Sequence, residues 1–116
     1  MSRKVAVFAF NGEGMCFLHA LMNALDMKTK GYDVKLIIEG AATKLIKEVE
    51  SGDMPYSKLY ANAKDAGLID CVCKACATKM NSLESAKGQD LPLCDDMSGH
   101  PSMQRYMEEG YEIIVM

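Results

Sequence analysis

The sequence predicts a three-layer α/β/α sandwich on a mostly parallel sheet of four to five strands. The first strand, 5–10, is apolar on both of its faces, which is typical of a strand at the centre of a parallel sheet. The segment 15–30 then places Phe17, Leu21 and Leu25 four residues apart, which is the spacing of a helix with one apolar side. Strands and helices alternate with short connections along the rest of the chain, and this order favours a parallel α/β fold.

The other elements follow from the apolar runs and from the residues that interrupt them. Gly31, Gly67 and Gly110 each follow a predicted helix, where a glycine commonly ends one. Because the chain has 116 residues and no linker, repeat or low-complexity tract, it is predicted to form one domain over 1–116. The remaining predicted elements are the strands 33–38, 68–73 and 111–116, the helices 41–50, 56–66, 75–86 and 101–109, and a loop over 88–99.

Charge and hydropathy exclude several classes of partner. The formal net charge is −3 and the basic residues are scattered, which argues against nucleic acid and against an anionic membrane surface. No apolar run approaches the roughly 18 residues that span a bilayer. The apolar run at 5–10 is too short for a signal peptide, and no small-x-small cleavage site follows it. We therefore expect a cytoplasmic protein with no membrane partner.

The cysteines are the feature that most needs an explanation. The chain has five, an odd number, and Cys71, Cys73 and Cys76 lie close together. This is not the pattern of a secreted disulfide framework, so no structural disulfide is expected, and the clustering indicates thiol chemistry or a metal. Strand periodicity places Cys71 and Cys73 on one face, with Cys71 as a packed core residue. Cys73 ends the strand, at the edge where parallel sheets form their sites.

Cys73 and Cys76 are the predicted catalytic residues. Cys76 falls in the first turn of the next helix, where free N–H groups and the helix dipole favour a thiolate and lower its pKa. Lys74 adds positive charge beside the pair. His100 precedes Pro101 and is interpreted first as a helix cap. The candidates of second rank are Cys16, Cys94, Lys74 and His100.

Metal binding and disulfide exchange are competing interpretations of the same residues. A structural zinc ion would need Cys73, Cys76, Cys94 and His100, but only one C-x-x-C knuckle is present and the C-x5-H half is irregular. An iron–sulfur cluster on Cys71, Cys73, Cys76 and Cys94 matches no common spacing. A thiol–disulfide oxidoreductase is disfavoured because the thioredoxin-type W-C-x-x-C context is absent. We therefore expect no metal and no cofactor.

Several segments occur along the chain in a recognisable order. They are Phe10-Asn11-Gly12, 23–34, Glu39-Gly40-Ala41-Ala42, 66–73 and 110–115. Together they resemble the DsrE/DsrF-like family of small sulfur-relay proteins over essentially the whole chain. The resemblance implies a cytoplasmic α/β protein, usually a homotrimer or hexamer, in which a cysteine closing the third strand carries sulfur as a persulfide. Cys73 occupies that position. The chain departs from the sulfur-relay members at Lys79-Met80-Asn81, where they have an Arg-Arg-Gly-like element, and in adding Cys76.

The predicted function is therefore the handling of sulfane sulfur, as a persulfide carrier or sulfurtransferase. Cys73 is expected to attack a persulfide donor first, and Cys76 is expected to attack the resulting persulfide or to pass its sulfur on. The expected partners are sulfur donor and acceptor proteins or small persulfides, together with further copies of the chain. The alternative is a non-enzymatic oligomeric binding module whose cysteines are structural or bind zinc.

Overall fold

The computed structural model describes residues 3–116 and contains one five-stranded sheet. Every pair of neighbouring strands is parallel, and the spatial order is β4-β3-β2-β1-β5. The predicted α/β class, with its mostly parallel sheet of four to five strands, is confirmed. The strands are β1 Lys4–Ala9, β2 Asp33–Ile38, β3 Ile69–Cys73, β4 Leu93–Cys94 and β5 Glu112–Val115.

Helices cover both faces of this sheet. Crossovers between parallel strands are right-handed, so the helices stay on one face while the chain moves outward from β1 to β4. The chain then returns in the opposite direction to β5, which places the last helix on the other face. Side chains of α1 to α5 accordingly share one core, whereas Tyr106 of α6 packs into the other. The helices are α1 Gly14–Thr29, α2 Lys44–Glu48, α3 Ser57–Asp65, α4 Lys74–Lys79, α5 Leu83–Gly88 and α6 Met103–Glu108, and 3-10 turns at Gly40–Thr43 and Val49–Ser51 flank α2.

β1 lies inside the sheet and separates the two cores. Val5 and Val7 face the core under α1 to α5, while Ala6 and Phe8 face the core under α6. Phe8 meets Tyr106 edge to face, with ring centroids 5.5 Å apart. The apolar character of both strand faces therefore corresponds to burial on both sides, as the sequence predicts.

Two predicted elements differ from the structure. The helix predicted over 75–86 is divided into α4 and α5, because Asn81 adopts a left-handed backbone conformation (φ 59°) that no continuous helix accepts. The loop predicted over 88–99 contains β4, which pairs Leu93 with Val72 and Cys94 with Cys73. The pairing of β4 determines the geometry of the site, because it holds the end of this loop against the end of β3.

No helix within residues 3–116 combines the length and the apolar character needed to cross a membrane.

Candidate functional site

The two predicted catalytic cysteines lie at the junction of β3 and α4. Cys73 is the last residue of β3 and also precedes the first residue of α4, where its Sγ accepts a hydrogen bond from the Cys76 backbone N–H at 3.4 Å. Cys73 is 0% exposed, whereas Cys76 is partly exposed. Both residues lie at the carboxyl edge of the sheet, as the sequence predicts.

The His100 imidazole contacts both thiols, and His100 does not cap a helix. Its Nδ1 lies 3.1 Å from Cys73 Sγ and 3.6 Å from Cys76 Sγ. The expected capping role is wrong, because Ser102 caps α6, with its hydroxyl accepting the Arg105 N–H. His100 reaches the thiols because the segment before it lies over the start of α4.

A backbone contact holds that segment in place. The Gly99 carbonyl accepts the Ala75 N–H at 2.9 Å, and Gly99 itself adopts a left-handed conformation (φ 90°). Met97 and His100 also exchange two backbone hydrogen bonds, of 2.7 and 2.9 Å, which close the turn between them. The position of His100 is therefore determined by backbone geometry as well as by its side chain.

Glu39 also lies at the site, although the sequence did not predict it as a site residue. It directly follows β2, the neighbour of β3, and it is 8% exposed. Its Oε2 lies 3.7 Å from His100 Nδ1. Burial raises the pKa of the Glu39 carboxyl, and the charge of His100 acts in the opposite direction. Its position in the sequence could have indicated this role, because Glu39 follows β2 much as Cys73 ends β3.

Cys73 was expected to attack as a thiolate, and its buried position disfavours that form. Burial raises the pKa of the Cys73 thiol to about 12, and the opposing effect of the Cys76 backbone N–H is smaller. Lys74, which was expected to support a thiolate, is half exposed, and its Nζ lies 3.9 Å from Asp95 Oδ2. Cys73 is therefore a protonated thiol at neutral pH, with His100 as its nearest nitrogen partner.

Cys71 and Cys94 form a disulfide, which corrects the expectation that no structural disulfide is present. Their Cα atoms are 5.7 Å apart on the neighbouring strands β3 and β4, within the span that a disulfide bridges. Cys94 is therefore not an additional thiol of the site, and Cys71 does more than fill the core. Cys94 is therefore not available as a ligand for the zinc ion or the iron–sulfur cluster considered from the sequence. Cys71 is likewise not available for the iron–sulfur cluster.

Cys16 lies apart from the other free thiols. It is in the first turn of α1 and partly exposed. Within residues 3–116, the metal-capable atoms that lie within 4.8 Å of one another belong to Cys73, Cys76 and His100, and Cys16 is not among them. Cys16 therefore offers a matched control for experiments on the cluster.

The fold and the site together define an α/β protein with a parallel sheet and a dithiol–imidazole cluster at its carboxyl edge. The chain belongs to the family of the uncharacterized protein MJ0733 of Methanocaldococcus jannaschii, with 38% identity over 97 residues, 84% of this chain and 77% of that protein. Two uncharacterized proteins of Archaeoglobus fulgidus are 42% identical over 60 residues and 47% identical over 36. These cover 52% and 31% of this chain, and 97% of each relative. No family model and no solved structure matches the chain.

Proposed function

We propose that this protein is a sulfur carrier of the DsrE/DsrF-like type, which accepts sulfane sulfur as a cysteine persulfide and transfers it. The observation that carries the proposal is the sharing of one imidazole by two free thiols. His100 Nδ1 lies 3.1 Å from Cys73 Sγ and 3.6 Å from Cys76 Sγ. A thiol beside a base is the arrangement that produces a nucleophilic thiolate.

Cys76 is the attacking thiol in this proposal, and Cys73 is its resolving partner. This reverses the order expected from the sequence, because Cys73 is fully buried and the pKa of its thiol is raised to about 12. Cys76 is partly exposed, and His100 is within reach to accept its proton. A donor molecule therefore meets Cys76 first.

Uptake and transfer are balanced without an added oxidant or reductant. The Cys76 thiolate attacks the outer sulfur of a donor persulfide, the donor S–S bond breaks, and the donor leaves as a thiolate that takes the proton back from His100. An acceptor thiolate then attacks the outer sulfur on Cys76, which leaves as a thiolate. The net change is the movement of one sulfur atom from donor to acceptor.

Without an acceptor, the second thiol changes the outcome. The two Sγ atoms lie within 4.8 Å of each other, so Cys73 can attack the inner sulfur of the Cys76 persulfide. His100, 3.1 Å from Cys73 Sγ, takes the thiol proton and passes it to the departing outer sulfur. Hydrosulfide leaves with the electron pair of the persulfide bond, and a Cys73–Cys76 disulfide forms. The outer sulfur is reduced to sulfide while the two thiols are oxidised, which balances the electrons.

The assembly and partners are part of the same proposal. The donor and acceptor are small persulfides or persulfide-carrying proteins, and the protein works in the cytoplasm as a homotrimer or hexamer. An exposed edge strand supports self-association, because β5 ends the sheet and its residues Ile114 and Val115 are 38% and 57% exposed.

Intact mass spectrometry after brief exposure to inorganic polysulfide and alkylation tests the proposal. In a Cys16→Ser background, a transient sulfur adduct of about 32 Da is expected, and it is lost as the Cys73–Cys76 disulfide forms. It should persist in Cys73→Ser, where no resolving thiol remains, and disappear in Cys76→Ser. An adduct of equal size in the Cys73→Ser/Cys76→Ser protein would refute the proposed site.

A further inference from the structure

Three potential ligands converge at the carboxyl end of β3, and Glu39 lies beside them at the end of β2. The Sγ atoms of Cys73 and Cys76 and a ring nitrogen of His100 all lie within 4.8 Å of one another. His100 Nδ1 is 3.1 Å and 3.6 Å from the two sulfurs and 3.7 Å from Glu39 Oε2. Zinc–ligand bonds of about 2.0–2.3 Å place tetrahedral ligand atoms roughly 3.3–3.8 Å apart. We infer that Cys73, Cys76 and His100 bind one zinc ion, and that the neighbouring Glu39 carboxylate turns toward the ion as its fourth ligand.

The buried carboxylate of Glu39 supports a cation site independently of the thiols. Its side chain is only 10% exposed, and a basic group near it is the His100 imidazole, at 3.7 Å. That separation is longer than a hydrogen bond, so the imidazole does not satisfy the carboxylate. A buried carboxylate is costly unless it is paired or bound to a metal. A cation held by the two thiols and the imidazole, beside Glu39, offsets that cost.

The ligand set also identifies the class of metal. Two thiolates, one imidazole and one carboxylate suit zinc, whereas magnesium and calcium prefer oxygen ligands alone. The set differs from the one that the sequence suggested, because Cys94 is bound to Cys71 in a disulfide. Glu39, which follows the neighbouring strand β2, replaces Cys94 as the fourth ligand.

Metal binding and sulfur transfer use the same thiols and therefore exclude each other. Zinc occupies the sulfur lone pairs with which Cys76 would attack a donor. The zinc site does not depend on the proposed sulfur chemistry, since a four-ligand site binds metal whether or not the thiols carry sulfur. An experiment can therefore refute the zinc site without refuting sulfur transfer, and the reverse.

Titration of the full chain with Co²⁺, with the Cys71–Cys94 disulfide intact, tests the inference. Thiolate-to-cobalt charge-transfer absorption should rise and saturate at one ion per chain, and added Zn²⁺ should displace the cobalt. Glu39→Gln should weaken binding by about 10–100-fold. The control variants Cys16→Ser and Glu84→Gln, which change a thiol outside the cluster and an exposed carboxylate, should bind as wild type does.

Two results would overturn the zinc site. One is cobalt absorption that is unchanged in the Cys73→Ser/Cys76→Ser double variant. The other is wild-type cobalt affinity in Glu39→Gln. Circular dichroism checks that this nearly isosteric substitution leaves the fold intact. The polysulfide adduct is measured on the same metal-free samples. An adduct without cobalt binding refutes the zinc site alone, and cobalt binding without an adduct refutes the sulfur proposal alone.

Discussion

Burial distinguishes the two thiols of the C-x-x-C pair. Cys73 has no exposed surface, and its buried position raises the pKa of its thiol to about 12, whereas Cys76 is partly exposed. The sequence could place both residues at one junction, because strand and helix periodicity determine that arrangement. It could not determine their burial, which depends on the segment that carries His100 and on its packing over α4.

Alkylation rates at neutral pH should report this difference. Iodoacetamide is expected to label Cys76 before Cys73, because the buried Cys73 is protonated as well as shielded. Raising the pH toward the pKa of Cys73 converts more of that thiol to thiolate, so its labelling should accelerate with pH. Peptide mass spectrometry measures both sites, with Cys16 as the internal reference. Labelling of Cys73 ahead of Cys76 at pH 7 would contradict the assigned roles.

His100 should accelerate sulfur uptake by accepting the proton of Cys76. We expect His100→Ala to slow adduct formation at pH 7 by about tenfold, since ordinary thiols are already a few per cent ionised and a base adds little more. The loss should shrink at higher pH, where the thiol ionises without help. His19→Ala changes an exposed histidine of α1 and is the matched control. Equal rates for the two variants in stopped-flow assays would exclude this role of His100.

At the level of elements, the short strand β4 and the turn after it build the site. The sequence predicted the longer strands to within a residue or two, because their apolar runs are continuous. It did not predict β4, which has only two residues and follows Pro92 in a polar segment. The disulfide depends on β4 and was missed for the same reason. Glu39 and His100 are distant in sequence, so no local spacing indicated that they meet.

Gly99 should be needed to position His100. A Cβ at Gly99 would lie 3.1 Å from Ala75 Cβ, and φ is 90° there. Gly31 has a similar φ of 91° with open space around it. Both Gly99→Ala and Gly31→Ala should lower the free energy of unfolding by about 1–2 kcal/mol. Only Gly99→Ala should also slow adduct formation, because it displaces His100, and equal adduct rates in the two variants would contradict this.

The Cys71–Cys94 disulfide should stabilise the fold by closing a loop. For a sequence separation of 23 residues, loop closure contributes about 3 kcal/mol to the free energy of unfolding. We expect Cys71→Ala/Cys94→Ala to lose at least that amount in urea denaturation, and Cys16→Ala to change little. An unchanged midpoint in the double variant would show that this bond does not hold β4 in place.

For the whole molecule, the strand order leaves β5 as an exposed edge. Ile114 and Val115 are its exposed apolar residues, and its backbone is paired on one side, to β1. Such an edge favours pairing with another chain. The apolar closing strand was predicted from the sequence, but the exposure of its residues follows from the sheet order, which the sequence alone did not determine.

Size-exclusion chromatography with light scattering should show a trimer or hexamer of the 12.7 kDa chain. Val115→Lys places a charge on the free edge and should shift the protein toward smaller species. Met107→Lys changes an exposed methionine on α6, outside the edge strand itself, and serves as the control. A monomeric wild-type protein would overturn the proposed assembly.

Cooperation of the two clustered thiols is the central claim, and single-turnover sulfide release tests it most directly. The metal-free protein is mixed with one equivalent of a small-molecule persulfide without an acceptor, and free sulfide and disulfide-linked peptides are quantified. The expected result is about one sulfide per chain with a Cys73–Cys76 disulfide, and in Cys73→Ser a persulfide retained on Cys76 without sulfide release. Sulfide release that is unchanged in Cys73→Ser would contradict the account.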